Sequence, residues 1–82
     1  MIVILKKQDR KLHKLKYWRE VVGLKQADFA VLIGCNTPNY SMKENGNVEL
    51  KRTEMILIQN ALNARLKEAG KDPLTLDEIF LS

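Results

Sequence analysis

Four glycines cut this chain into helix-sized pieces. Gly23, Gly34, Gly46 and Gly70 each follow a stretch with helical periodicity or start signals, and a glycine just past such a stretch is a common way to end a helix. The first stretch starts at Asp9, a possible cap, and carries Leu12, Leu15, Trp18 and Val22 at three- and four-residue steps. It predicts a helix of about 14 residues. The second, "QADFAVLI", sets Ala27, Phe29, Ala30, Leu32 and Ile33 densely enough for a short, largely buried helix, with Asp28 in its first turn to complement the dipole. Ala30 and Gly34 are small where the second and third helices must come close through a tight turn.

A proline pushes the residue before it out of the helical region. Thr37 is therefore the expected cap of the third helix, with Pro38 at its first position, where a missing N–H costs nothing. This helix reaches about Asn45. After the polar "NVELKR", Thr53 is the expected cap of a longer helix with Met55, Ile58, Leu62 and Ala69 on one stripe. Lys71, Asp72 and Pro73 break the chain. In "LTLDEIF", Thr75 and Glu78 have capping-box spacing, and Leu74 and Ile79 are placed as a hydrophobic staple. The expected fold is all-α, with five helices and short connections. The β-branched "MIVIL" at residues 1–5 adds a candidate short strand, which could pair with its twin in a dimer or lie over the helices.

With 82 residues, 45% of them apolar and 29% charged, one small soluble domain is expected. It divides into an extension (1–8), helices one to four (9–69) and a short C-terminal helix (70–82). The run Met1 to Leu5 is too short for a signal-peptide core or a membrane span, so no membrane partner is expected. Cys35 has no second cysteine to pair with, and with the lone His13 it cannot supply four zinc ligands. A reducing, cytoplasmic setting fits. Cys35 itself reads as a half-buried filler or, less simply, a redox-sensitive thiol. The chain has no phosphate-cradling glycine loop, no metal set and no His–carboxylate–nucleophile arrangement. No enzyme, cofactor or small-molecule substrate is expected.

Charge is uneven along the chain. The net charge is +4, yet residues 1–52 hold eleven Lys/Arg against five Asp/Glu, and residues 53–82 hold three against five. That asymmetry suits a polyanion facing one side of the molecule, although an ordinary solvated basic face has the same composition.

From Leu15 to Leu62 the chain resembles the Cro/repressor-type helix-turn-helix domain of the Xre family. The resemblance lies in "LKYWRE", "QADFAVLIG", "SMKENG" and "IQNAL", with Arg19, Gln26, Ala30, Gly34, Tyr40, Glu44, Asn45 and Gly46 at the family's spacing. The closing "DEIF" is similar to that family's last short helix. This likeness implies a sequence-specific, double-stranded DNA-binding regulator of bacterial or phage type, most simply a repressor. It would bind a palindromic operator as a homodimer, with the helix at residues 37–45 in the major groove. It also implies an Arg19–Glu44 ion pair across helices one and three. Base contacts would come from Thr37, Pro38 and Met42, with Ser41 beside them. Phosphate contacts would come from Gln26, Asn36 and Asn45, with charge added by Lys43, Lys51 and Arg52.

Helical geometry turns Tyr40 away from that face, as a core anchor. Since Pro38 and Met42 offer no hydrogen bonds, readout should lean toward thymine methyl groups, with polar contacts from Thr37 and Ser41. Two residues depart from the family pattern. Lys43 stands where a large apolar residue is usual, so either its stem lies along the core with the ammonium in water or that corner is loose. Lys25 replaces the usual Ser/Thr cap of helix two. Leu74, Leu76, Ile79, Phe80 and Leu81 form a candidate dimer or partner surface, some of them folding back on the core. The alternative function is a protein-binding module, such as an antitoxin or anti-repressor, on the same fold.

Overall fold

The computed structural model describes residues 11–81. Asp9 and the candidate strand at residues 1–5 lie outside them. Five α-helices make up the described architecture: α1 (His13–Val21), α2 (Gln26–Ile33), α3 (Thr37–Glu44), α4 (Arg52–Glu68) and α5 (Leu76–Phe80). The class is all-α. One core joins all five, built from Leu15, Phe29, Ala30, Tyr40, Ile58, Leu62, Leu66, Leu74 and Ile79. At its centre Phe29 meets Tyr40 edge to face, with ring centroids 5.8 Å apart, a favoured aromatic geometry.

Among the described residues α1 begins at His13, with Leu12 as its N-cap residue. The Leu12 N–H donates to the Glu44 carbonyl at 2.9 Å, so the start of α1 is tied to the end of α3. Two residues of α1, Leu15 and Arg19, are buried. They lie four apart and so share one face.

Helix α2 has the expected bounds but is less buried than its composition predicts. Phe29 and Ala30 are buried and Ile33 half-buried, while Ala27 and Leu32 are exposed and Val31 is 81% exposed. Eight residues make little more than two turns, and only one side of them can face the core. Gly34 ends the helix with φ +78°, and a Cβ placed there would meet nothing within 4 Å. Backbone conformation, rather than close approach, is what requires glycine.

The cap of α3 is Asn36, not Thr37. Its Oδ1 accepts from the Asn39 N–H at 2.8 Å, and Thr37 and Pro38 are the first two helical residues. The N–H groups of the first turn have no intrahelical partner, so proline is equally harmless at the second position. An asparagine cap worth about 1 kcal/mol offsets the reluctance of Thr37 to precede proline in helical conformation.

Helix α4 likewise starts before the expected Thr53. Lys51 is the N-cap residue, and its N–H donates to Glu54 Oε1 at 3.0 Å. The carboxylate three residues on thus fixes the start. The buried stripe of α4 is Ile58, Leu62 and Leu66; Met55 is half-buried, and Ala69, expected on the stripe, is an exposed C-cap. Helix α5 carries both halves of the capping box: Glu78 N–H to Thr75 Oγ1 at 3.2 Å, and Thr75 N–H to Glu78 Oε1 at 2.9 Å. Leu74 and Ile79, flanking it, are both in the core.

Candidate functional site

Glu44 is where the end of α3 is fastened to α1 and α2. Its carboxylate accepts from Arg19 Nε at 2.9 Å and Nη2 at 3.0 Å, from the Tyr40 hydroxyl at 2.8 Å and from Gln26 Nε2 at 3.1 Å. The remaining Arg19 nitrogen, Nη1, donates to the Leu24 carbonyl at 2.9 Å. Glu44 is 4% exposed and Arg19 7%. One carboxylate therefore binds α1, the start of α2 and its own helix together, in the bidentate geometry that suits guanidinium. Among the described residues no buried side-chain nitrogen or oxygen lacks a partner.

These neighbours set the ionisation of the group. Burial pushes the Glu44 carboxyl up, but hydrogen bonds from Arg19, Tyr40 and Gln26 outweigh it and hold the group below its ordinary value. Burial and then the Glu44 charge push the Tyr40 phenol up. It stays a neutral donor.

With Tyr40, Lys43 and Glu44 buried, α3 divides cleanly. Thr37, Pro38, Met42 and Asn45 are exposed and Ser41 is half-buried on the opposite side. Met42 is 45% exposed. The Asn45 amide reaches back to Ser41 Oγ at 3.4 Å. The four residues expected to touch bases thus share one open face. No exposed side chain of α3 is charged.

The residues expected at phosphates are divided. Asn36, Asn45, Lys51 and Arg52 are exposed. Gln26 sits at the first position of α2, half-buried, with its amide nitrogen turned to Glu44. Lys43 corrects its assignment. It is 8% exposed, and its ammonium donates to both Glu54 oxygens at 2.9 Å, so neither a solvated head nor a loose corner describes it and it is not presented to a polyanion. No local pattern signals this pair, buried at Lys43 and half-buried at Glu54, because the partners lie eleven residues apart and either side chain can point outward. The pair links the start of α4, with Lys51 and Arg52, to the last turn of α3. Burial pushes the Glu54 carboxyl up, but the Lys51 N–H and the Lys43 ammonium prevail and lower it.

Comparison with protein-family models, curated proteins and solved structures gives no match.

The C-terminal apolar residues split in the same manner. Leu74 and Ile79 are core, Leu76 and Phe80 are half-buried, and Leu81 is 60% exposed. A second unforeseen device holds this end. Asn63 clamps the backbone of Leu74, accepting its N–H at 2.8 Å and donating to its carbonyl at 3.1 Å, and Gln59 adds a donor to that carbonyl at 3.0 Å. At Lys25, the capping side chain missing from α2 is replaced by Asp28, which accepts the Lys25 N–H at 2.8 Å. No described helix is long and apolar enough to cross a membrane.

Proposed function

We propose that this chain is a sequence-specific DNA-binding regulator, with α2 and α3 acting as a helix-turn-helix and α3 lying in the major groove. One observation carries the reading: α3 is anchored through Tyr40, Lys43 and Glu44 on one side, while the other presents short or flexible uncharged side chains that fit a groove. The exposed Lys51 and Arg52 beside the end of α3, and the excess of basic residues before position 53, supply charge for phosphates. The resemblance to the Xre family supports the same assignment. In this reading the protein acts in the cytoplasm as a homodimer on a palindromic site, by occupancy rather than catalysis.

Selection of bound duplexes from a random library tests the proposal. The expected result is one enriched, two-fold symmetric motif, with binding that weakens steeply as salt rises. If Thr37→Ala with Met42→Ala leaves the selected sequence unchanged while changes at Phe80 or Leu81 abolish function, the protein-binding alternative replaces it.

A further inference from the structure

We infer that the outward face of α3 reads the C5 methyl group of pyrimidines irrespective of the base that bears it, so that 5-methylcytosine can stand in for thymine at a contacted step. This rests on the DNA-binding reading above and specifies what its reading face recognises.

The argument starts from what α3 can no longer offer. Guanine is usually specified by Arg or Lys, and the helix's one cation, Lys43, is bonded inward to Glu54. Its one carboxylate, Glu44, which could have accepted from a cytosine amino group, holds Arg19, Tyr40 and Gln26. Asn36 spends its carbonyl oxygen on the cap, and the Asn45 amide is turned to Ser41. Asn39 sits half-buried at the flank.

The hydroxyls of Thr37 and Ser41 both donate and accept, so neither by itself chooses between a carbonyl oxygen and an amino group. Beside them two apolar side chains remain in the middle of the open face. Pro38 and Met42 are four apart, hence adjacent on the helix surface, and both are exposed. A methionine thioether is flexible and polarisable enough to close on a small apolar group. In the major groove that group is the pyrimidine C5 methyl.

The base beneath the methyl matters little to these two residues. Thymine places a carbonyl oxygen next to its methyl and 5-methylcytosine an amino group, but proline has no side-chain donor or acceptor and methionine only a weak acceptor. Neither can reject one in favour of the other. Burying one methyl against them should change affinity roughly fourfold.

The test uses the full chain and the duplex that selection returns. Each thymine is replaced in turn by deoxyuridine, which removes only the methyl, and each contacted T·A pair by C·G with and without the C5 methyl. Methyl readout predicts roughly fourfold weaker binding for uracil at a contacted step, and recovery of most of the loss at C·G when the cytosine is methylated. Met42→Gln, at an exposed position, should keep the melting temperature and bring the uracil-to-thymine ratio close to one; Pro38→Ala gives a second variant with the same expected direction. Equal binding of uracil and thymine duplexes, or methylated cytosine no better than cytosine, overturns the inference while leaving DNA binding intact. A Met42→Gln protein that keeps the whole uracil penalty overturns the assignment to this face. If no sequence is enriched, the functional reading falls and the inference with it.

Discussion

Arg19 and Glu44 show how much can depend on one contact. Removing one member leaves the other buried without its main partner, a loss of about 3 to 5 kcal/mol. Arg19→Met should lower the melting temperature by many degrees, and an unchanged thermal transition would show that the pair contributes nothing. The same carboxylate makes the domain acid-sensitive in a defined direction. Glu44 is held below its ordinary value of 4.5, so the folded state keeps the charge to lower pH than the unfolded chain. The stability it contributes is complete above 4.5 and is lost as pH falls through the lowered value. Urea midpoints measured across that window should drop in acid, and Glu44→Gln should flatten the slope from a lower plateau. Gly34 belongs at this scale too. With φ +78° and open space around it, Gly34→Ala should cost about 1 to 2 kcal/mol through backbone strain alone.

At the scale of elements, the ends of the helices separate what the sequence makes plain from what it conceals. Gly34 and the Thr75–Glu78 pair mark ends correctly because each acts through its own backbone or a partner three residues away. The starts of α3 and α4 are harder to read, since neighbouring polar residues compete and side-chain reach decides between them. Asn36 outreaches Thr37, and Glu54 preempts Thr53. Asn36→Ala should therefore cost about 1 kcal/mol while Thr37→Ala is nearly neutral, which thermal melts of the two variants distinguish. The clamp from Asn63 to Leu74 is hidden from any local pattern because it spans eleven residues. Asn63→Ala should leave the Leu74 N–H unpaired and speed amide exchange across 76–80, with α4 itself still protected.

For the whole molecule, the division between anchoring and presenting residues is the central property. The exposed side of α3 is legible in helical spacing. The inward turn of Lys43 is not, because a lysine's direction depends on a carboxylate from another helix. The two kinds of cation should behave differently in solution. Under the DNA-binding proposal, Lys51→Ala and Arg52→Ala should each reduce the slope of log affinity against log salt by about 0.9 while the fold is untouched. Lys43→Ala should instead destabilise the protein by removing the ammonium that holds Glu54, and chemical denaturation separates the two outcomes. The four-way contact at Glu44 has one more consequence. Apart from its Asn36 cap, α3 is held by Tyr40, Lys43 and Glu44 on its inner side, so positions 37, 38, 41, 42 and 45 can be exchanged as a set with little effect on folding. A library varied at those five sites should return mostly folded proteins, and under the DNA-binding proposal its members should differ in the sequences they select.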